Sequence, residues 1–342
     1  MISSRFLATA FAVALVLVAA GYFGLWEYEA SQVRAGLTRF LDARAAHGMT
    51  VHSERLEIGG FPFTLDVDFG RVTIDGLPYA KPAHVEAPSL VLRARPWQPG
   101  SWRIAAEKGF SVRFAADLGG SISASAGDAR GRAQVESDSL VIGIDCHDVN
   151  FGAPGSAPTA HHASLRLTVP DKPPEDHTTP SLIFDLIVDR AVLPNGLGAP
   201  QDGLPDRLSI SGVVEGPVPE QPLLPALTAW RESGGSIELR QVELRWGAVY
   251  LAGDGTVTLD ANLQPEASFT GRIRGWGALL DDLVQAGALT ASDANYDRLG
   301  FGLLTRTADD GKSELRAPIT LQNTQIFLGK AKIAKVPAIV WQ

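Results

Sequence analysis

From Val51 almost to the C-terminus, apolar residues recur at every second position, and no other feature narrows the choice of fold as far. Successive side chains of a strand point to opposite faces, so a period of two with one apolar side marks a half-buried strand. Leu56 and Ile58 open the pattern, and Phe61, Phe63, Leu65, Val67 and Phe69 follow in strict alternation. Gly59–Gly60 reads as a bulge or turn between these runs. Val72 and Ile74 resume after a break at Gly70–Arg71. The same signal returns at Leu90 and Leu92, at Val112, Phe114, Ala116 and Leu118, and from Leu140 to Cys146. It recurs at Leu165–Val169, Leu182–Val188, Leu208–Val214, Ile237–Trp246, Val257–Leu263 and Phe269–Ile273, and closes over Ile319–Ile333.

The opposite face of these runs holds Ser, Thr, Arg, Asp and Glu, which implies mostly antiparallel strands with one wet side. The fold expected is therefore mainly β. Either two sheets pack into a sandwich, or one extended, strongly coiled sheet forms a β-groove or shell whose apolar face needs a cover. Thirty-five glycines and 22 prolines suit the many turns that both require.

Helical spacing is confined to a few places. Val33, Leu37, Phe40, Leu41 and Ala45 recur at intervals of three and four, predicting an amphipathic helix over Glu27–His47 capped by Gly48. Pro222–Glu232 and Ala278–Ala286, the latter ended by Gly287, predict two short helices. The Pro-rich, charged stretch Val169–Pro180 reads as an exposed loop or a boundary between β halves at 49–170 and 181–342.

Phe6–Trp26 carries no charge over 21 residues. A bilayer core is crossed by roughly 20 apolar helical residues, so 6–26 is expected to be a transmembrane signal-anchor followed by a linker helix over 27–48. Tyr22, Phe23, Trp26 and Tyr28 mark the far interface. Arg5 precedes the span and Glu27 and Glu29 follow it, which leaves 1–5 as a cytoplasmic tail and exports the rest. A signal peptide cleaved near Val18-Ala19-Ala20 is the alternative, and it exports the same residues.

The net charge of −8 and the absence of a basic run argue against nucleic acid as a partner. Cys146 is the one cysteine, so no disulfide forms within the chain. Within Asp145-Cys146-His147-Asp148 the alternation puts Cys146 on the apolar side, as a small buried hydrophobe. His161 and His162 point to opposite faces and do not share a metal. Asp281–Asp282 belong to a solvated helix face, and Arg113, Arg166, Arg240, Arg245, Arg272 and Arg274 coat the wet side of the sheet. No nucleophile elbow, metalloprotease, P-loop or C-x-x-C motif occurs. No catalytic residue, cofactor or metal is expected, and the chain reads as not an enzyme.

The run Gly60-Phe61-Pro62-Phe63-Thr64-Leu65-Asp66-Val67 resembles the G-F-P-F-R-L stretch of a bacterial family, the domain of unknown function 2125 (DUF2125). Arg95-Pro96-Trp97-Gln98-Pro99, the block Gly275–Leu289, and the closing run from Ala317-Pro318-Ile319-Thr320-Leu321 to Val336-Pro337 are similar as well. Thr64 stands where that family's motif has Arg, and Asn323-Thr324 where an Asp/Asn-Gly turn is usual. More distantly, the layout is similar to AsmA-like envelope proteins. That resemblance implies a single-pass protein of the bacterial inner membrane, its bulk in the periplasm, with a β-groove serving lipids or envelope integrity. The implied groove is lined by Phe61, Phe63, Leu65, Val67, Leu90, Leu92, Val112 and Phe114. The partners it implies are the bilayer itself and phospholipid or another lipid. The alternative is an envelope scaffold with a filled β core that contacts other envelope proteins.

Overall fold

The computed structural model of the protein describes residues 4–45, 48–76, 83–115, 121–151, 159–191, 206–219, 221–285, 290–308, 311–329, 331–336, 338–339 and 341. Of the positions singled out above, His47, Ala116, Leu118, Ala286, Gly287, Leu289 and Pro337 lie outside the described residues.

The chain opens with one helix, α1 (Ser4–Ala45), of 42 residues. At about 1.5 Å per residue it is roughly 60 Å long. The linker helix expected over 27–48 is thus the outward continuation of the uncharged segment. Gly48, at φ +85°, turns the chain back beside it.

Three strands follow: β1 (Thr50–Ser53), β2 (Glu57–Gly59) and β3 (Leu65–Asp75). β1 and β2 share one edge of β3, and β4 (Ala83–Arg95) takes the other. β4 then meets one interrupted strand. β5 (Gln98–Ala106) pairs with its C-terminal half and β6 (Phe110–Ala115) with its N-terminal half. The break is at Gly109, whose φ of +70° favours glycine and where a side chain would collide with the Ala126 carbonyl. β7 (Ser121–Ala126) and β8 (Asp128–Val135) mirror the split, and β9 (Ser139–Phe151) gathers both.

A plain meander continues through β10 (Ala160–Pro170), β11 (Pro180–Ala191) and β12 (Arg207–Glu215). Helix α2 (Leu223–Glu232) leads into β13 (Ser236–Trp246), β14 (Val249–Leu259) and β15 (Pro265–Arg274). Two helices, α3 (Trp276–Gln285) and α4 (Ala291–Leu304), precede β16 (Thr305–Thr307), β17 (Ser313–Gln322), β18 (Gln325–Leu328) and β19 (Ala331–Lys335). The nineteen strands among the described residues belong to one sheet, and their pairings are antiparallel. The stretch 171–179 connects β10 to β11, which pair directly, so the sheet runs unbroken past it.

Four strands and a helix carried no expectation from the sequence, the shortest being β16 with three residues. The buried-side positions of β8 are Ala129, Gly131 and Ala133, too small to register as alternation, and β7 is mostly Ser and Ala. β5 opens on polar residues and alternates only at Trp102 and Ile104. Helix α4 contains Gly300 and Gly302 and shows little amphipathic pattern, yet Thr290 caps it by accepting the Asp293 N–H. In the other direction, the alternation at Phe61 and Phe63 does not mark a strand. Pro62 has no N–H to give a ladder, Gly60 adopts φ +97°, and Thr64 N–H donates back to the Gly60 carbonyl at 2.9 Å. The result is a turn, and β3 starts only at Leu65.

Following the registers shows that one apolar row crosses twelve strands. It runs Val67, Leu92, Ile104, Gly131, Ile144, Leu165, Leu186, Ile210, Val242, Gly253, Gly271 and Ala317. Helices cover two stretches of this face, and a third cluster, around Ala126, Val149 and Ala160, is buried at the Phe151 end of β9. Over β3, Val33 and Leu37 of α1 pack on Val67, Phe69, Val72, Leu90 and Leu92, and Trp26 and Ala30 seal Leu65. Over β15 and β17, Leu280 of α3 and Ala294 and Phe301 of α4 bury Ile273 and Leu315. Trp276 meets the edge of Phe301 at 5.9 Å between ring centroids. The smaller α2 closes the β12–β13 end, where Trp230 donates its ring N–H to the Glu215 carbonyl at 2.8 Å.

Candidate functional site

Between the covered stretches lie β9 to β13, since Leu251 of β14 already packs into the core beneath α3 and α4. Their apolar-row neighbours Leu140, Ile142, Ile144, Leu165, Leu167, Leu186, Ile210, Val242 and Leu244 are all half-buried. None reaches the burial of Leu65, Val67 or Leu315. The sheet thus presents a long apolar surface that its own helices leave unsealed.

This surface deepens beside α1. A hollow of about 380 Å³ is lined by Val33, Gly36, Leu37 and Phe40 of the helix and by Val67, Leu92, Trp102, Ile104 and Ala133 of the sheet. These side chains offer carbon almost throughout, so the hollow suits an apolar guest with few polar anchors.

The eight residues expected to line a groove separate into groups. Val67 and Leu92 line the hollow. Leu65, 1% exposed, is sealed under α1, and Leu90 packs in the core below the helix. Val112 shares the apolar face further along, opposite Val85 and Ala124, and is half-buried. Phe114 occupies the same register set, opposite Ala83 and Ile122, and its side chain is not among those described. Phe61 and Phe63 lie at the turn before β3. Phe61 contacts Tyr22, Phe23 and Trp26, and Phe63 stands 70% exposed outside the hollow. The wall formed by Val33, Leu37 and Phe40 was signalled by the helical spacing, whereas Trp102, Ile104 and Ala133 belong to strands that the pattern did not reveal.

The opposite face is polar and holds a second hollow, of about 780 Å³, whose lining includes Arg93, Arg103, Arg130, Arg132, Glu107 and Asp145. Arg93, Arg103 and Arg132 lie directly opposite one another on adjacent strands. Arg93 grips Asp66 through two hydrogen bonds of 2.8 and 2.6 Å. Pairs this exposed contribute about 0–1 kcal/mol each. They align the strands, and no side chain here pairs a nucleophile with a base.

Further along this face the register sets His147 opposite His162, with ring centroids 5.2 Å apart. Asp189 lies 3.1 Å and Asp145 3.6 Å from His162, and Asp128 lies 3.6 Å from His147. Among the described residues no group of three or more His, Cys, Asp or Glu could hold a metal ion. Cys146 turns to the apolar face between Ala129 and Ala163. Burial, reinforced by Asp145 and Asp128, pushes its thiol up, away from the thiolate a nucleophile needs. Beside α4, Glu314 is the one strongly buried carboxylate among the described residues. Burial alone would raise its pKa, but hydrogen bonds and charge from Arg316 and Arg274 outweigh that and hold it below the ordinary value. It clasps β15 to β17 and faces no hollow of the apolar side.

In α1 the side chains are described from Leu15 onward. Among the described residues no helix is long and apolar enough to cross a membrane. Leu15, Val16, Leu17 and Val18 are 60–72% exposed, with no sheet against them.

No curated protein and no solved structure matches the chain. One family does, described as "Uncharacterized protein conserved in bacteria (DUF2125)", and it matches residues 26–337. That match begins at Trp26, where α1 first packs on the sheet, and extends past β19, taking in the uncovered strands and both covered stretches: the chain belongs to the DUF2125 family.

Proposed function

We propose that this is a non-enzymatic lipid-binding protein of the bacterial envelope, anchored in the inner membrane by the first half of α1, with its sheet in the periplasm. One observation carries the reading: the apolar row continues across β9–β13 with no helix among the described residues to seal it. An acyl chain is a fitting cover, because each buried CH₂ contributes about 0.8 kcal/mol and no catalytic group is required. The length is suitable. Five strands at about 4.8 Å spacing span roughly 19 Å, more than the roughly 15 Å of hydrocarbon in one leaflet.

The anchor rests on the uncharged run Phe6–Trp26 and on the exposure of Leu15–Val18. Arg5 before the run and Glu27 and Glu29 after it support the periplasmic orientation. A second reading, a scaffold for other envelope proteins, draws on Tyr296 and Leu299, which stand 74% and 73% exposed on α4.

Native mass spectrometry of the purified full-length protein tests the first reading. Wild type is expected to carry near-stoichiometric phospholipid or another acyl lipid, and Leu165→Glu to lose it while its circular dichroism is unchanged. A lipid-free wild type that is stably folded would defeat the lipid reading and favour the scaffold.

A further inference from the structure

Helix α1 runs alongside β3 in the same direction. Tyr22 donates to the Pro62 carbonyl and Trp26 to the Thr64 carbonyl at the start of β3, while Gly48 lies against Gly76 at its end. The residues before Tyr22 therefore project past the Leu65 end of the sheet, by roughly 27 Å from Ser4. The turn between β4 and β5 lies at that same end, since Leu65 pairs with Ala94. Two proline-containing turns, at Phe61–Phe63 and at Pro96–Trp97, thus flank the point where the helix leaves.

Their side chains are out of keeping with a rim in water. Phe61 is 48% exposed, Phe63 70% and Trp97 55%. With Phe23 and Tyr28 of α1 they include most of the exposed aromatic residues described, and only Phe40 and Tyr296 lie elsewhere. Phe61 packs edge-on against Phe23 and Trp26, so the turn and the helix form one aromatic cluster. Aromatic rings favour the headgroup level of a bilayer, where an apolar body and a polar tip are both accommodated.

We infer that the Phe61–Phe63 and Pro96–Trp97 turns sit in the interfacial layer of the bilayer that α1 enters, seating the α1 corner of the trough on the membrane. This rests on the anchor proposed above. Exposed Arg95, beside Trp97, adds a cation at headgroup depth. The turns farther along the same end carry more acid than base: Glu136 and Asp138, then Asp171, Glu175 and Asp176 against Lys172. Hydrogen bonds from Thr178 and Thr179 hold Asp176 down to about 2, so it stays charged at any physiological pH. Anionic headgroups repel these turns, which confines the contact to the α1 corner and lets the sheet rise from it.

The test uses full-length protein in nanodiscs of phosphatidylethanolamine and phosphatidylglycerol, with Cys146→Ser as the cysteine-free background. Nitroxide labels follow Val16→Cys, Phe63→Cys, Trp97→Cys and Lys108→Cys, the last on the exposed turn between β5 and β6, about midway along the strands and away from the Leu65 end. Power-saturation resonance reports each label's collisions with nickel chelate and with oxygen. The inference expects several-fold fewer nickel collisions at 63 and 97 than at 108, with oxygen collisions raised. Labels at 63 and 97 as nickel-accessible as 108, with 16 in lipid, would overturn the seating and leave the anchor standing. Low nickel and low oxygen at 63 and 97 would place them against protein and also overturn it. A water-accessible label at 16 would remove the anchor and the inference together.

Discussion

The helix-covered ends of the sheet and its uncovered middle share one strand pattern and differ in what lies on top. Leu65 and Val67 are 1% exposed beneath α1, and Leu315 is fully buried beneath α3 and α4. Leu165, Leu186 and Ile210 lie on the same apolar face, in continuous antiparallel register, and remain half-buried. Alternation along a strand therefore specifies which face is apolar, and burial is decided by a separate element that crosses it.

Substitutions can break this contrast. The largest effect is expected at Leu315→Ala, where a cavity opens under two helices. It should cost about 2–5 kcal/mol, read as a lowered midpoint in denaturant. A loss near zero would mean that the α3–α4 cover is not packed.

An intermediate effect is expected from acid on the same covered end. Glu314 has its folded pKa depressed by Arg316 and Arg274, so it binds its proton less readily in the folded state than in the unfolded state, where it titrates near 4.3. Its stabilisation is present above that value and is lost as pH falls through the lower folded pKa. Melting temperature should drop below about pH 4.5 more steeply in wild type than in Glu314→Gln. Parallel profiles would show that the clasp contributes nothing.

The smallest effect is expected in the middle. Leu165→Ala removes a half-exposed side chain and leaves no closed cavity, so lipid-free protein should lose about 1 kcal/mol or less. A loss as large as that at Leu315 would make the middle a packed core and erase the distinction between the regions.

How far the sequence could reach depended on side-chain size. Strands built on Leu, Ile, Val and Phe announced themselves, as did α1 through Val33, Leu37 and Phe40. β7 and β8 did not, because Ala and Gly at inward positions produce no hydrophobic contrast. Phe61 and Phe63 kept the period through a turn, because periodicity counts residues and cannot sense that Gly60 and Pro62 bend the backbone. The histidine pair was illegible for another reason. His147 and His162 meet only through the β9–β10 register, and a hairpin's register is set by its turn and by the match of apolar faces. The trough was partly legible: Val67 and Leu92 were readable as lining residues, but the central uncovered rows become a site only once α1 and α3–α4 are seen to stop short of them.

Photo-crosslinking tests the central claim most directly, using two neighbours on β11. A diazirine amino acid replaces either Leu186, on the apolar row, or Asp185, on the polar face, in full-length protein irradiated in native membranes. An apolar trough filled by lipid predicts an acyl-lipid adduct from position 186 and none from 185. Equal adducts at both positions, or protein adducts alone at 186, would contradict it.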